Sequence, residues 1–502
     1  MRLGSRHWLA YDRTHFVSIR EAQIHVIPLN KCPQNPLLIP EKPWEEDVHL
    51  YGSVIKINGL YRMWYYARTE AYGVRTTCYA ESEDGLLWRK PELDVADYRG
   101  QRTNIVFGTP VMGEGFLESD TVLYTPWDTG REYKMLYVAR YPRDKETINA
   151  VRIPYYQDLA RQYREKQDWQ MAQKCEKRVE RELARAVPAG VYIATSSDGI
   201  HWKEADAPAV PYLDDISHMM YDSENQVYRL YGRGFAYDEG RCRADRDQAL
   251  FDGYLGRAVF MATSRDAVTW EKEKLVLTAD AFDRPGDEIY SMAVFPWEGC
   301  YLGWVQMYHG APDDMTLDIQ LAISRDGEHF ERVGDRNPIL PLGEIGQWDR
   351  FNTCVAGLPV IEGERIRVYF NGAVFRHLQI TGSGAYGGMD TWNRIVRIGM
   401  GETQADRFAC AQASFQGGEM LTVPLTLESP RLHLNCESAW GELGVTVLMG
   451  DKKETFIVTE NSMDAMLCLP QWAMQGEVQL LFTLKNARLY AFWSEGEKQA
   501  GG

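Results

Sequence analysis

Apolar and polar residues alternate in short, strand-length segments along most of the chain, and one turn pattern recurs between them. An apolar strand end, a Ser-x-Asp turn and an aromatic residue that opens the next strand occur at Ser82–Trp88, Ser196–Trp202, Ser264–Trp270 and Ser324–Phe330. The Asp side chain can accept backbone N–H bonds across such a turn, and glycine supplies the positive φ. Four such hairpins in order predict a radial repeat of small antiparallel sheets.

Each repeat also contains two long strands around a turn, at residues 53–66, 121–137, 219–231, 292–304 and 353–370. Five strand pairs and four closing hairpins predict an all-β chain whose residues 1–407 form a five-bladed β-propeller. The fifth closing hairpin, near Arg397, lacks the Ser-x-Asp-Gly turn.

Two regions depart from the repeat. Between the first two hairpins lies an excess of charged, helix-favouring residues at about 143–187, where Cys175, Val179, Leu183 and Val187 recur every four positions. This spacing predicts an amphipathic helical insertion in blade two. We interpret it as a packed surface element, and the alternatives are a lid or a contact in a homo-oligomer. Short alternating strands over residues 411–494 predict a separate C-terminal β-sandwich domain.

Composition and charge restrict the partners. The net charge of −16 argues against nucleic acid and anionic membranes, and no segment approaches the length of a membrane span. The N-terminus lacks the apolar core of a signal peptide. Nine cysteines without a CxxC pair indicate neither a disulfide framework nor a zinc site. We expect a cytoplasmic protein without a cofactor or a bound metal.

Acidic residues stand at the start of nearly every innermost strand, where the blades of a propeller converge. They are Asp47, Asp120, Asp214, Asp215, Glu288 and Asp349. Cleavage of a glycosidic bond requires a pair of carboxyl groups, one that protonates the leaving oxygen and one that attacks or activates water. The alternative for each residue is an ordinary loop carboxylate. Together they predict a carbohydrate substrate.

These features resemble glycoside hydrolase family 32, with families 43, 68 and 130 as relatives. By blade position, the resemblance implies Asp47 as nucleophile or base, Asp215 as transition-state stabiliser and Glu288 as general acid. Pro285 and Tyr290 are expected to give Glu288 low-polarity surroundings that favour its protonated form. The sequence lacks three motifs of that family, Trp-Met-Asn-Asp-Pro-Asn-Gly, Arg-Asp-Pro and Glu-Cys. The resemblance therefore implies the architecture of the family for this chain, but not its sugar specificity.

Other residues near the strand starts are candidates for substrate contact. They are Asp120, His49, His218, Arg233, Trp348 and Asp349. For His218 the alternative is a histidine satisfied within the propeller, and a Gly-rich segment at 383–392 is expected at the cavity rim.

Three functions fit these observations. The first is a hydrolase or transglycosylase for a furanoside or short oligosaccharide, similar to β-fructofuranosidases or arabinofuranosidases. The second is a phosphorolytic enzyme of the family 130 type, in which a basic cluster of Arg233, Arg284, Arg350 and His309 binds phosphate. The third is a non-catalytic carbohydrate-binding propeller.

Overall fold

The computed structural model describes residues 1–69, 74–108, 117–139, 157, 160–161, 163–184, 190–205, 207–211, 213–237, 254–311, 313–377 and 396–496. The strands of the described chain pair mostly in antiparallel fashion and helix is scarce, which confirms the all-β prediction. It begins with five short strands, β1 (Arg2–Leu3), β2 (Trp8–Leu9), β3 (Phe16–Arg20), β4 (Gln23–Val26) and β5 (Asn30–Lys31). A short 3-10 helix, Arg13–His15, precedes β3.

Five antiparallel strand groups follow, called here sheets 1 to 5. Sheet 1 contains β6 (Asp47–Ile57), β7 (Leu60–Thr69), β8 (Val74–Ser82) and β11 (Ile105–Gly108), with a hairpin of β9 (Leu93–Tyr98) and β10 (Gln101–Thr103) beside it. Sheet 2 contains β12 (Leu117–Tyr124), β13 (Tyr133–Ala139), β14 (Gly190–Ser196) and β15 (Val210–Pro211). Sheet 3 contains β16 (Asp214–Asp222), β17 (Val227–Tyr237), β18 (Tyr254–Ser264) and β19 (Lys274–Leu277).

The next two groups are built alike. Sheet 4 contains β20 (Asp287–Trp297), β21 (Cys300–His309), β22 (Thr316–Ser324) and β23 (Glu331–Arg332). Sheet 5 contains β24 (Asn352–Val355), β25 (Val360–Glu362), β26 (Arg365–Ala373) and β27 (Arg397–Gln404), and the early strand β5 pairs with β27 at its outer edge. One parallel bridge, between Leu317 and Asn352, joins sheets 4 and 5 into a single nine-stranded sheet that includes β5, and it departs from the antiparallel pattern.

The first strands of the five sheets pack around a common centre. Strand β6 contacts β12, β12 contacts β16, β16 contacts β20, and β24 contacts β21, β22 and β6. The contacts therefore close into a ring, and the starts of these strands lie at the same end of it.

Helical residues lie within the region where the sequence predicted an insertion, at 157, 160–161, 163–165 and 169–184 among those described. Helix α1 (Trp169–Ala184) connects β13 to β14, two neighbouring strands of sheet 2. It buries Ala172 and Cys175, while Val179 is half-buried on the same stripe. Residues 143–156, 158–159, 162 and 185–187 of the predicted insertion lie outside the described residues.

The repeated hairpins have nearly the same geometry. In the first, Asp84 Oδ1 accepts the backbone N–H groups of Leu86 and Leu87 at 2.7 and 2.9 Å, and Ser82 Oγ accepts that of Gly85 at 2.9 Å. The aspartate bonds recur in the other three copies at 2.7 to 2.9 Å. The φ angle of Gly85 is +76°, the left-handed region that favours glycine.

Three of these hairpins are bonded to the preceding sheet. Trp64 Nε1 donates to the carbonyl of Gly199 at 2.8 Å. The Tyr231 hydroxyl donates to the Gly327 carbonyl, and the Tyr369 hydroxyl donates to the Gly85 carbonyl, each at 2.9 Å. The aromatic side chains therefore fix sheet 1 against sheet 2, sheet 3 against sheet 4, and sheet 5 against sheet 1.

The contact between sheets 2 and 3 is different. There the position equivalent to these aromatic donors is Leu136, and the facing hairpin carries Ala267 in place of glycine. Because leucine has no polar hydrogen to donate, sheets 2 and 3 are joined instead by apolar packing around Leu136 and by the Thr121 hydroxyl, which donates to the Ser217 carbonyl at 2.8 Å.

The remaining strands form two facing sheets, apart from β30, which makes a separate parallel pair with β1. They are β28 (Ala409–Ala413), β29 (Gly418–Thr422), β30 (Thr426–Leu427), β31 (Arg431–Glu437), β32 (Glu442–Met449), β33 (Lys452–Val458), β34 (Asn461–Cys468), β35 (Gln479–Lys485) and β36 (Ala487–Ser494), with a 3-10 helix at Gln471–Gln475. One sheet has the order β34-β31-β36-β28-β4, with β2 also on β36, and the other β3-β29-β35-β32-β33. The rings of Phe482 and Phe492 meet between them, 4.8 Å apart.

The first strands of the chain belong to these C-terminal sheets. Strands β2 and β4 pair with β36 and β28, β3 pairs with β29, and β1 pairs with β30. The sequence analysis assigned residues 1–407 to one unit, whereas the hydrogen bonds join β1 to β4 with strands after residue 408. The apolar core is also continuous, because Phe408 packs on Trp304 and Phe295 of sheet 4.

Candidate functional site

Side chains from the starts of four first strands meet in one buried cluster, called here the central cluster. Tyr51 of β6, Ile216 of β16, Tyr290 of β20 and Cys354 of β24 belong to it, together with Tyr308, Met315 and Leu317 of sheet 4. Residues at or just before these strand starts therefore lie near one another, although they are far apart in sequence.

Four of the first strands are also irregular near their starts. The pairing shifts between His49 and Ser53 in β6, between Glu118 and Thr121 in β12, between Asp214 and His218 in β16, and between Ile289 and Ser291 in β20. Bulges of this kind bend a strand and redirect its side chains, and they are frequent next to active sites.

The irregularity in β16 includes a strained residue. Ile216 has a φ of +59° and is only 1% exposed. A β-branched side chain is unfavourable in this conformation, so the surrounding packing has to hold it there. Ile216 directly follows Asp215, one of the predicted catalytic residues. The strain therefore lies beside a candidate acid.

Asp47 forms a compact group with His49 at the start of β6. The His49 Nε2 lies 3.1 Å from Asp47 Oδ1, and the two residues are 8% and 3% exposed. The His49 ring stacks on Tyr66 at 4.4 Å and faces Tyr51 at 5.8 Å. The imidazole orients the carboxylate, and the aromatic rings hold the imidazole.

Glu288 lies on a different pair of strands and is bound by an arginine. Its Oε2 accepts both the Arg257 guanidinium and the Arg257 backbone N–H, the latter at 3.3 Å. Gly256 makes room for it, because a Cβ there would lie 3.3 Å from Glu288 Cγ. In this arrangement Glu288 is a hydrogen-bond acceptor.

The expected low-polarity surroundings of Glu288 are wrong. The Tyr290 ring faces two guanidinium groups, Arg233 at 4.4 Å and Arg257 at 5.5 Å from its centroid, and its hydroxyl lies 2.8 Å from His377 Nε2. The aromatic face attracts these cations. The tyrosine therefore brings positive charge toward Glu288.

His218 is a packed, neutral histidine. It is 3% exposed, and burial lowers its pKa to about 3. Its Nδ1 lies 3.3 Å from the Thr121 hydroxyl, which donates to the carbonyls of Tyr51 and Ser217. These contacts place His218 where β6, β12 and β16 meet.

Trp348 and Asp349 connect strand β5 to sheet 5. The Lys31 ammonium donates to Asp349 Oδ2 and to the Pro341 carbonyl, each at 2.6 Å. Trp348 stacks on Phe370 at 5.4 Å. The sequence analysis expected substrate contacts from both residues, and the contacts observed here are structural.

Several predicted residues lie partly outside the described part of the chain. Asp120 and Asp215 belong to β12 and β16, and their side chains are not among those described. The Gly-rich segment 383–392 lies wholly outside the described residues. Within the described residues, no three His, Cys, Asp or Glu side chains are placed to bind a metal ion. No helix in that part has the length and apolar character of a membrane span.

Sequence reasoning missed Arg257 and His377. A glycine inside a strand often marks a close approach of another group, and Gly256 before Arg257 was such a signal. His377 lies in an irregular segment after β26 that no repeat identifies, and its backbone N–H donates to the Met315 carbonyl at 2.9 Å.

The basic residues predicted to form one cluster have partners of their own, and two of them, Arg284 and His309, share Asp287. Arg284 pairs with Asp287 and Asp314, and the Arg350 guanidinium lies over the ring of Phe351 at 4.8 Å.

His309 lies between two carboxylates, Asp287 at 3.2 Å and Asp318 at 2.9 Å. Burial opposes the charged imidazole, but the bonds to these carboxylates outweigh it and raise the His309 pKa.

Comparison with known proteins gives structural likeness only. No family model matches the sequence, and no curated protein matches it. An N-acetylgalactosamine deacetylase from F. plautii, in complex with blood group B trisaccharide, is 16% identical with a TM-score of 0.46, and the match covers 77% of this chain and 96% of that one. A beta-1,2-mannobiose phosphorylase from Listeria innocua is 12% identical with a TM-score of 0.42, covering 75% and 96%. A thermostable family-43 glycoside hydrolase is 12% identical with a TM-score of 0.43, covering 72% and 91%.

Because these TM-scores lie below 0.5, the function proposed below rests on the chain's own strand pairing and side chains. The resemblance to family 32 stays a prediction.

Proposed function

We propose that this protein is a carbohydrate-active enzyme that cleaves a glycosidic bond at the centre of a five-bladed β-propeller. Sheets 1 to 5 are the blades, from about residue 27 to 407, and helix α1 is part of an insertion in the second. The proposal is carried by one observation: Asp47 and Glu288 stand at the starts of first strands whose side chains meet in the central cluster. Glycosidic cleavage uses a pair of carboxyl groups, and in this proposal Asp47 and Glu288 supply them from different blades.

We propose that the second unit is a β-sandwich made by residues about 409–496 together with β1 to β4. It replaces the boundary expected from the sequence, because the paired N-terminal strands complete its sheets.

In the proposed reaction, Asp47 attacks the anomeric carbon or activates water, and His49 positions it. Glu288 takes up a proton from solvent once the substrate displaces the Arg257 guanidinium, and it then transfers that proton to the leaving oxygen. Asp215, in β16 beside the strained Ile216, stabilises positive charge on the sugar. The substrate is a furanoside or short oligosaccharide, as the resemblance to families 32 and 43 implies.

Phosphorolysis is the second candidate, and a specific observation favours it. Arg233 and Arg257 bring two guanidinium groups to the Tyr290 ring beside Glu288. Arg233 is fully buried, whereas the side chain of Arg257 is 14% exposed and can reach a ligand. In this reaction, Arg257 binds the attacking phosphate and Glu288 remains the proton donor.

The test is an assay of sugar release from a panel of furanosides and oligosaccharides, with and without inorganic phosphate. For a glycosidase, we expect Glu288→Gln to lower the rate by about 10²–10⁴, the contribution of a positioned proton donor. The loss is expected to shrink for aryl glycosides, whose leaving groups need no protonation.

Glu271→Gln, on an exposed side chain bonded to Thr263, is the matched control and should retain full activity. Activity that appears only with phosphate selects phosphorolysis. Near-normal turnover of a natural glycoside by Glu288→Gln would remove Glu288 from the mechanism.

A further inference from the structure

A row of polar side chains crosses one of the C-terminal sheets. In strand order, the row is Gln23, Gln412, Arg488, Glu437 and Asn461, each directly paired with the next. Directly paired residues share one face of a sheet. Arg488 donates from Nε to Gln412 Oε1 at 3.3 Å and from Nη1 to Glu437 Oε2 at 3.2 Å. Five strands at their usual spacing make this row about 19 Å long.

The polar row forms the floor of a cavity of about 680 Å³, and Trp440 stands at the rim. Trp440 is 89% exposed, the largest value among the exposed apolar residues of the described chain. A second cavity, of about 880 Å³, shares Glu437 and Arg488 and lies toward sheet 5. The two cavities together make a long polar groove with an aromatic ring at one end.

The loop that carries Trp440 is held in place. Asn486 Nδ2 donates to the Trp440 carbonyl at 2.8 Å, and Asn461 Oδ1 accepts the Ala439 N–H at 3.0 Å. Gly441 allows this conformation, because a Cβ there would lie 2.0 Å from the Lys485 carbonyl oxygen. A fixed loop exposes the indole without the entropic cost of ordering it on binding.

We propose that this groove is a second carbohydrate-binding site, which binds a linear glycan along the polar row. Sugar rings offer C–H faces that pack on an aromatic side chain and hydroxyls that pair with amide, guanidinium and carboxylate groups. A protein partner would require an apolar patch at the centre of the groove, and here the floor is polar. The proposal is independent of the reaction at the central cluster.

Native affinity electrophoresis of the full-length protein tests this site, with inulin, linear arabinan or β-mannan in the gel. We expect at least one polymer to retard the wild-type protein, and Trp440→Ala to weaken that binding about tenfold or more, as for an aromatic anchor. Arg488→Met should weaken it less. Trp169→Ala removes another exposed tryptophan, 65% exposed on α1, and is the matched control with unchanged retardation.

The outcomes are decisive in both directions. Trp440→Ala should keep the melting temperature of the wild type and its activity on small soluble substrates, since no residue that lines the two cavities belongs to the central cluster. If none of the three polymers retards the wild type, or if Trp440→Ala is retarded equally, the proposal is overturned. Failure of the proposed catalytic function would appear in the activity assay and leave the retardation unchanged.

Discussion

The two ends of sheets 1 to 5 are built on opposite principles. At the hairpin end, four turns repeat the same aspartate bonds within 0.2 Å, between 2.7 and 2.9 Å. At the end where the first strands start, sheet 1 has a carboxylate with a histidine, sheet 3 a strained isoleucine and sheet 4 a carboxylate with an arginine.

This difference separates folding from function. The repeated end satisfies backbone groups locally and bonds one sheet to the next, so its geometry is tied to stability. The varied end buries charges and tolerates strain, which a fold retains where chemistry requires it. Substitutions at the two ends should therefore have opposite effects on activity and stability.

The largest expected effect is on activity, from Asp47→Asn. Asparagine keeps the shape of the side chain and removes its charge, so we expect the turnover rate to fall by about 10²–10⁴ with little change in melting temperature. Asp84→Asn, the same change at a hairpin, should lower the melting temperature and leave kcat unchanged. Equal losses of activity in Asp47→Asn and Asp84→Asn would contradict the proposal that the strand-start end serves activity and the hairpin end serves stability.

Gly85→Ala should have the largest effect on stability. A Cβ at Gly85 would lie 2.4 Å from the Tyr369 hydroxyl, and the φ of this residue is +76°. Overpacking and backbone strain together should therefore lower the unfolding free energy by about 3 kcal/mol. Gly59→Ala has a similar φ of +84° with no atom within 4 Å, and should lose only about 1 kcal/mol. Urea unfolding of the two variants measures the difference, and equal losses would show that packing on Tyr369 is unimportant.

His218 should make the strand-start end sensitive to acid. Its folded pKa of about 3 lies below the value of 6.5 that it has when unfolded, so only the unfolded chain gains this proton as the pH falls below 6.5. The folded state should lose about 2 kcal/mol from this group by pH 5. The unfolding free energy of His218→Gln should therefore fall less between pH 7 and pH 5 than that of the wild type. An identical fall in the two proteins would contradict the burial of a neutral His218.

The smallest effect concerns the bonds between sheets. Tyr369→Phe and Tyr231→Phe each remove one hydroxyl that donates to a hairpin carbonyl at 2.9 Å. Each should lower the unfolding free energy by about 1 kcal/mol, with kcat unchanged. The double variant should be additive, because the two contacts lie on different pairs of sheets.

The hairpins could be predicted from the sequence because their determinants are local. Ser82, Asp84 and Gly85 make the turn with one another, within four residues. The starts of the first strands could also be located, because the repeat gives their position along the chain. The partners of each acid could not, since Arg257 reaches Glu288 from another strand, 31 residues away.

The N-terminal strands show the same limit more strongly. Strands β1 to β4 are two to five residues long, and such short segments carry no information about their partners. Only the complete C-terminal sheets provide edges and surfaces to which they can pair. The sequence therefore placed them with the nearest repeat, and the hydrogen bonds place them with strands about 400 residues later.

That arrangement has a consequence for how the protein is made. Strand β4 emerges from the ribosome early, yet its partner β28 begins at Ala409. At translation rates of 5–20 residues per second, the nascent β4 waits roughly 20–80 s for that partner. During this interval β4 has to be kept from pairing with other chains, so a segment that is synthesised long before its partner is among the last to find its place.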